Sequence, residues 1–376
     1  MKTEKLHKFL KAAVAACVLA LILAACDNTY GVFHEIQTEK TQVGTDVFKN
    51  VTVKAIAEDA INYYAAMAKI FYRPVGGGTW TVLSVNSDSD YYCAGLASDG
   101  ASIYVAAAET GASATLKGIY KGTVGGTAWS ASLNTAAIGT KTVDSLFWAG
   151  SNLFALAHVE STEVYSLYYS DGSAAFTSTG LSNLTVPVLG VVHDGSAYWA
   201  ITSTTVYTGT PGALAADLAA GTPSGSKTLT GIAVDAANDV LVTTHDGNLY
   251  TYSAGWTSAV VTADIQLGVI AEAPASPTQN RLILGKHNSG YGYYEFLASS
   301  GTCYNGNDAD NAAFVPTSSS YTTTVYTKPV RALHYSSATK TMLIGLAAQG
   351  TDTYALYSNT YDPAAASTYW SGWTAE

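Results

Sequence analysis

The stretch GLASDGASIYVAAA, residues 95–108, decides the fold because similar stretches recur along the whole chain. It aligns without a gap with AIAEDAINYYAAMA from Ala55 and with GVVHDGSAYWAITS from Gly190. Four further units fit the same register or need longer turns, and they begin at Ser145, Gly231, Gly268 and Ala332. Six of the seven units therefore begin 37 to 64 residues after the preceding one, near the period of four-stranded propeller blades.

Each unit predicts a strand, a tight turn, a strand, a loop, a strand, a turn and a final strand. The first turns carry Asp99-Gly100, Ala149-Gly150 and Asp194-Gly195, pairs that tolerate the positive φ of a hairpin. The second strands are apolar on both faces, which is typical of a sheet packed between two others. We therefore predict an all-β protein, a seven-bladed β-propeller of four-stranded blades over residues 51–376.

Aromatic residues follow a second regularity, because the third strands are rich in tyrosine and several units end on a large ring. The unit-ending aromatics are Trp80, Trp129, Phe176, Trp256 and Trp370. Packing between blades explains these positions, and the sequence predicts no cofactor.

The segment before the repeats has the pattern of a secretory signal. Lys2, Lys5, Lys8 and Lys11 precede an apolar run of 15 residues that ends at Cys26, which is too short to span a bilayer comfortably. Leu23-Ala24-Ala25-Cys26 resembles the lipobox of bacterial lipoproteins, and that resemblance implies cleavage before Cys26 and a lipid on its side chain. An ordinary signal peptide with an incidental cysteine is the alternative.

These features predict three parts: a signal peptide over residues 1–25, a lipidated tether over 26–50 and the propeller. The tether would place the protein in the bacterial cell envelope, and Val32–Ile36 could close the ring as a strand. Removal of the leader takes four lysines and one glutamate and leaves 14 basic and 27 acidic residues, a net charge near −13. Such a surface repels phosphate backbones, so nucleic acid is not expected as a partner.

One short segment resembles a known repeat. Gly77-Gly78-Thr79-Trp80 is similar to the end of the Asp-box of bacterial neuraminidase-type repeats, although Val75 stands where that box has aspartate. The resemblance implies propeller architecture and raises the alternative of a sialidase-like, glycan-active enzyme, whose family holds a carboxylate with three arginines. Arg73, Arg281 and Arg331 fall on different strands of their units, which opposes a shared carboxylate site.

The two cysteines that follow the leader are not expected to form a disulfide. Cys93 and Cys303 would pair only if their Cα atoms lay within about 7 Å. We place Cys93 before a first strand and Cys303 between a third and a fourth strand several blades away, and expect two separate thiols.

The stretch GTCYNGNDADNAAF, residues 301–314, carries oxygen ligands at Asn305, Asn307, Asp308, Asp310 and Asn311. A calcium site and a solvated loop are the two interpretations, and the absent glutamate at the twelfth position favours the loop.

Histidines form the best-defined candidate site. His158, His245 and His287 end the second strands of units three, five and six. Blade geometry separates these positions by about 10 Å or more, far beyond the reach of a shared zinc ion. They either cap strands through backbone hydrogen bonds or form a polar arc that contacts an extended ligand.

We name the surface formed by the loops after the second strands the loop face, and the opposite surface, which carries the Asp99 and Asp194 turns, the turn face. The candidate binding residues all lie on the loop face: Glu109, His158, Glu160, His245, Asp246, His287, Asn288 and Gln349. Loops on a rigid scaffold usually carry recognition. We therefore expect a monomeric, non-catalytic binding or scaffolding module for an envelope protein or polysaccharide, with acidic partners binding more tightly as unperturbed histidines protonate near pH 6.5.

Overall fold

The computed structural model describes most of the repeat region, and all described residues belong to the compact unit of residues 41–376. The described residues are 47–110, 115–126, 128–223, 227–235, 237–260, 267–276, 279–287, 292–297, 302–305, 325, 328–348, 354–360 and 373–376. The predicted signal peptide, Cys26 and Val32–Ile36 therefore lie outside the described residues. So do Asn288, Asn307, Asp308, Asp310, Asn311, Gln349 and Trp370.

The described strands form seven antiparallel sheets, which are the blades of a propeller. Blade 1 contains β1 (Ala55–Glu58), β2 (Asn62–Ala66), β3 (Ile70–Pro74) and β4 (Thr81–Val82). Blade 2 contains β5 (Tyr92–Ser98), β6 (Ile103–Ala108) and β7 (Leu116–Gly122), followed by a 3-10 turn, Val124–Gly126. Blade 3 contains β8 (Thr142–Ala149), β9 (Asn152–Val159), β10 (Val164–Ser170) and β11 (Thr177–Ser178). Blade 4 contains β12 (Val188–His193), β13 (Tyr198–Thr202), β14 (Val206–Thr210) and β15 (Ala213–Ala216).

The remaining three blades repeat the same strand order. Blade 5 contains β16 (Leu229–Val234), β17 (Val240–Thr244), β18 (Asn248–Tyr252) and β19 (Trp256–Val260). Blade 6 contains β20 (Leu267–Ser276), β21 (Gln279–Lys286), β22 (Tyr293–Leu297) and β23 (Thr302–Asn305). Blade 7 contains β24 (Val330–Ser336), β25 (Thr341–Leu346), β26 (Leu356–Thr360) and β27 (Thr374–Ala375). The predicted seven-bladed, all-β architecture is confirmed.

Two blades differ from the sequence prediction in their outer strands. In blade 2 a regular fourth strand is replaced by an irregular segment, in which Trp129 bridges Gly122 and Leu133 N donates to Ile119 O. In blade 6 the fourth strand is Thr302–Asn305, within the stretch 301–314 that the sequence places between the third and fourth strands, so most of that stretch follows the fourth strand. Cys303 accordingly lies within a fourth strand, and its placement between the third and fourth strands was wrong.

The core consists of seven hydrophobic clusters of described residues, one at each junction between neighbouring blades. Phe176 packs in the cluster between blades 2 and 3, and Trp256 in the cluster between blades 4 and 5. Trp80 and Trp129 pack against the clusters on either side of blade 1. The predicted packing role of these four unit-ending aromatics is confirmed. Burial of apolar surface between wedge-shaped blades is therefore what stabilises the ring.

The glycines that begin several repeat units stand where neighbouring first strands approach most closely. A Cβ on Gly95 would lie 2.8 Å from Leu146 N, and one on Gly231 would lie 2.2 Å from Gly268 O. Register shifts occur directly before these glycines, between Cys93 and Gly95 and between Leu229 and Gly231. The recurring glycine thus permits a β-bulge and close backbone contact near the propeller axis.

Residues from both ends of the described chain close the ring between blades 7 and 1. Phe48 is fully buried in the cluster shared by these blades, and its carbonyl accepts a hydrogen bond from Ala355 N. The Glu376 side chain pairs with Arg73 of β3 and accepts a hydrogen bond from Trp80 Nε1 at 2.9 Å. A cluster and an ion pair therefore join the last blade to the first.

The strand order defines the two surfaces of the ring. Because each antiparallel blade runs from its inner to its outer strand, loops after second and fourth strands emerge on the loop face. Turns after first and third strands emerge on the turn face. Among the described residues, no helix has the length and apolar character needed to span a bilayer.

Candidate functional site

Aspartates on the turn face are part of the turns that carry them. Asp99 Oδ1 accepts hydrogen bonds from Ala101 N and Ser102 N, and its Oδ2 accepts one from Tyr104 at 3.0 Å. Asp194 makes the same arrangement with the amides of two following residues and with Trp199 Nε1 at 2.7 Å. The carboxylate thus closes an Asx-type turn and is anchored by the aromatic residue five positions later.

Asp59 is the most deeply buried of these turn aspartates, with 2% of its surface exposed. It accepts hydrogen bonds from Ile61 N at 2.9 Å, Asn62 N at 2.8 Å, Tyr64 Oη at 2.6 Å and Gly125 N at 2.8 Å. The last bond reaches into blade 2. Burial, followed by the hydrogen bond to Asp59, raises the pKa of Tyr64, which therefore stays protonated as a donor.

The dihedral angles support the expectation that the first turns need residues with positive φ. Gly100 has φ 84°, Gly150 φ 55° and Gly195 φ 91°, all in the left-handed region. Burial opposes ionisation of Asp194, but hydrogen bonds from Ala197 N, Ser196 and Trp199 lower its pKa overall. The turn aspartates are therefore structural groups, and the lowered pKa of Asp194 favours its charged form.

Charged residues on the loop face instead pair side chain to side chain. His158 Nδ1 lies 2.7 Å from Asp144 Oδ2, with Asp144 on the first strand of the same blade. The hydrogen bond with Asp144 raises the pKa of His158 against the opposing effect of burial. Burial raises the pKa of Asp144, and His158 opposes that shift. Protonation of His158 converts this contact into a partly buried ion pair.

Two other loop-face pairs have different electrostatics. Asp246 accepts hydrogen bonds from Lys227 and from Thr244 Oγ1, and despite the opposing effect of burial these interactions lower its pKa to about 2. Arg331 Nη1 donates a hydrogen bond to His287 Nδ1 at 2.6 Å, across the junction between blades 6 and 7. Burial, then the positive charges of Arg331 and His245, lower the pKa of His287 to about 4.

These contacts bear on two sequence expectations. His158 and His287 each have a side-chain partner, Asp144 and Arg331, and the capping of strand ends through backbone hydrogen bonds stays a prediction. The histidine that does bond a turn amide is His193 on the turn face, whose Nδ1 accepts from Gly195 N at 3.1 Å. The expectation of a common titration near pH 6.5 is wrong for His287, because its imidazole is held neutral until about pH 4.

The other predicted loop-face residues are placed as follows. Glu109 is exposed directly after β6, His245 is exposed directly after β17, and Glu160 follows β9. Glu160 lines an open cavity of about 420 Å³ together with Thr140, Lys141, Val159 and Ser161. Among the described residues, no group of three or more metal-ligating side chains could hold an ion. His245 acts electrostatically on His287, whereas His158 pairs with Asp144 within blade 3.

A second cavity, which sequence reasoning missed, opens near the propeller axis on the turn face. We name it the axial cavity; its volume is about 500 Å³, and residues of blades 7, 1, 2 and 3 line it. Glu58 and His334 contact each other there, with 2.7 Å between Oε2 and Nε2. Ser336 Oγ donates to the other Glu58 oxygen at 2.8 Å. Residues 276 positions apart build this pair, and no local sequence signal indicates it.

The three arginines lie on strands of different rank in their blades. Arg73 pairs with Glu376 at the outer part of blade 1, whereas Arg331 contacts His287 near the start of an inner strand. Arg281 lies near the beginning of β21, the second strand of blade 6. The predicted separation of these residues is confirmed at the level of the strands, and it opposes a sialidase-like carboxylate clamp.

Cys93 is a buried free thiol on β5, and its Sγ lies 3.6 Å from the Gly95 carbonyl oxygen. Burial raises the pKa of Cys93 to about 11. Cys303 lies on β23, the outer strand of blade 6. The thiol of Cys93 is therefore an inert core group rather than a nucleophile.

Comparisons with known proteins show the fold. No protein-family model and no curated protein sequence matches the chain. Among solved structures, YCF48 bound to a D1 peptide aligns with TM-score 0.56 and 14% identity over 84% of this chain and 95% of that one. The GH74 enzyme of Niastella koreensis aligns with TM-score 0.61 and 15% identity over 88% of this chain and 55% of that one.

A third similar structure is the extracellular domain of a protein described as a one-component system of B. thetaiotaomicron. It aligns with TM-score 0.55 and 14% identity over 83% of this chain and 39% of that chain. These three structures include a peptide complex, an enzyme and an extracellular domain. At such identities the similarity establishes propeller architecture alone, because the fold supports many functions.

Proposed function

We propose that this chain is a lipid-anchored, non-catalytic binding or scaffolding module of the bacterial cell envelope, whose partner contacts the loop face. The observation that carries the proposal is the contrast in how the two faces use charge. Turn-face aspartates are bonded into their own turns, whereas the pairs around His158, Asp246 and His287 stand at equivalent loop positions of three blades. Such side chains on a rigid ring can contact an extended partner.

The chemistry of the loop face favours an envelope protein or a polysaccharide with acidic groups. Lys141 lines the open cavity beside blade 3, and Lys227 and Arg331 extend the cationic groups along the arc. His158 adds positive charge as the pH falls through its raised pKa. An acidic partner should therefore bind more tightly on mild acidification, with His158 and not His287 as the responsive group.

Binding is tested with the full chain against envelope extract and acidic polysaccharides. His158, His245 and His287 are replaced together with alanine, and Ala338→Arg on the turn face serves as the matched control. We expect the triple variant to lose the captured partner and Ala338→Arg to retain it. Retention by the triple variant together with loss in Ala338→Arg would place the partner on the turn face.

Anchoring and catalysis need separate measurements. Cys26→Ser should accumulate unprocessed precursor and lose acyl labelling, while unchanged labelling would refute lipidation at Cys26. Stable anchoring requires more than one acyl chain. The alternative of a glycan-active enzyme predicts sugar released from envelope polysaccharide by the purified chain, and a binding module predicts capture without release.

A further inference from the structure

The axial cavity combines apolar walls with a carboxylate that has spare bonding capacity. Ile56, Leu96, Leu146 and Trp148 contribute the apolar lining. Glu58 contributes the acid, and 18% of its side chain is exposed. An ionised carboxylate has about four acceptor positions. Among the described residues its two oxygens accept from His334 and Ser336, so a third donor can be accommodated.

The walls of the cavity are held rigidly. The Trp148 ring stacks on Tyr104 with centroids 5.1 Å apart and planes 10° from parallel. Tyr104 is itself anchored by its hydrogen bond to Asp99. Ser98 Oγ donates to the Glu58 carbonyl at 2.6 Å, which joins the ends of two inner strands. The site is therefore preorganised, and binding of a ligand would cost little conformational entropy of the protein.

The acidic residues around the cavity favour a cationic ligand. Asp59, Asp99, Asp194, Asp235 and Asp239 all lie in turns after the first strands of their blades, on the face where the cavity opens. The hydrogen bonds that hold Asp194 lower its pKa and keep its charge. Glu58 and Asp59 line the cavity itself, and a face that carries several carboxylates attracts cations and repels anions.

We propose that the axial cavity binds a basic side chain, arginine or lysine, presented by an extended peptide segment of a partner. The aliphatic part of such a side chain matches Ile56, Leu96 and Leu146. Its cationic group can bond Glu58 and lie against the ring of Trp148, because the face of an aromatic ring attracts a cation. A cavity of about 500 Å³ accommodates one such side chain with flanking backbone.

This site is on the face opposite the proposed loop-face partner, so the two proposals can fail separately. The experiment measures binding of a capped Ala-Ala-Arg-Ala-Ala peptide to the full chain by calorimetry. A peptide with citrulline in place of arginine keeps the shape and removes the charge. A neutral oligosaccharide is the third probe.

The variants separate charge from folding. Glu58→Gln keeps the size of the side chain and should weaken binding of the arginine peptide about 10-fold or more. Charge-assisted hydrogen bonds are stronger than neutral ones, and this variant loses the charge. Glu163→Gln, at an exposed position of the loop face, is the matched control and should leave the affinity for the arginine peptide unchanged. Thermal unfolding verifies that each variant is folded, and Trp148→Leu gives a second, uncharged test of the site.

The result expected is binding of the arginine peptide, little binding of the citrulline peptide and loss in Glu58→Gln and Trp148→Leu. Equal binding of the two peptides, no arginine binding at millimolar concentration, or full affinity in folded Glu58→Gln would each overturn the proposal. Preferential binding of the neutral oligosaccharide would overturn it as well and would assign the cavity to sugars.

Discussion

The two faces of this propeller use the same residue types for different purposes. On the turn face, Asp59, Asp99 and Asp194 accept backbone hydrogen bonds and an aromatic donor, so the carboxylate shapes the polypeptide. On the loop face, Asp144 and Asp246 bond histidine and lysine side chains, so the backbone does not depend on them in the same way. A charged group is therefore a functional candidate when its partners are replaceable side chains.

The largest expected difference between the faces is in stability. Asp59→Ala removes the acceptor of four hydrogen bonds at a buried site and should lower the free energy of unfolding by about 3–5 kcal/mol. Denaturant titration measures the loss. Asp194→Ala, which removes four such bonds at a less buried site, should show about 2 kcal/mol and serves if Asp59→Ala does not fold. Losses no larger than that of an Asp246→Ala control would break the comparison.

The second difference lies within the loop face and depends on pH. His287 has a folded pKa of about 4, so the unfolded chain takes up the proton first and stability falls as the pH drops from about 6.5 to 4. This contribution is at most about 3 kcal/mol. His287→Gln should flatten the acid side of the stability profile measured by urea unfolding.

His158 should show the opposite pH dependence. Its folded pKa is raised, so its pairing with Asp144 stabilises the fold fully below the unfolded pKa near 6.5 and ceases to do so as the pH rises through the folded value. His158→Gln should therefore lose stability at pH 6 relative to the unmodified chain and match it near pH 9. Parallel profiles for the two histidine variants would contradict the opposed shifts.

A smaller effect is expected where the turn face depends on backbone conformation alone. Gly100 and Gly195 have positive φ and no close neighbour that would obstruct a Cβ, so their replacement by alanine should cost about 1 kcal/mol each. Gly255→Ala is the matched control, because Gly255 lies in a turn with open space and ordinary φ. Thermal unfolding should show no loss for this control, and equal losses at all three positions would exclude backbone strain as the cause.

The smallest effect is expected for the exposed pair on the loop face. Lys227 and Asp246 have side chains that are 34% and 42% exposed. Asp246→Asn should therefore change the free energy of unfolding by less than about 1 kcal/mol, and salt should reduce the change further. Denaturant titration at two salt concentrations measures this. A loss comparable to that of Asp59→Ala would show that the loop-face pair also shapes the fold.

Much of the architecture was predictable because blades repeat a local pattern. The unit starts at Ala55, Gly95 and Ser145 fall in the first strands of their blades, as do the other four. The exception is blade 6, where Thr302–Asn305 pairs with β22 although it opens a long polar stretch. Strand pairing depends on the partner edge as well as on the strand's own composition, so a short polar strand carries a weak sequence signal.

The candidate sites were less predictable. The positions of His158, His245 and His287 at the ends of second strands follow from repeat alignment, and the structure places them there to within one residue. Their partners do not follow from it: Asp144 and Arg331 reach them from first strands, and the second contact crosses a blade junction. The turn aspartates had a usable signal, an aromatic five residues later, as in Asp99 and Tyr104.

The sequence by itself determined the number of blades, the strand order and the turns, because alternation, glycine position and turn chemistry are local properties that each repeat states again. Only the tertiary structure decided where charges are paired and where a cavity opens. Glu58 and His334 lie at opposite ends of the repeat array and meet because the ring closes. Closure is driven by burial of apolar surface at every blade junction, and this driving force is non-directional. The polar contacts that closure creates therefore cannot be predicted from any single segment.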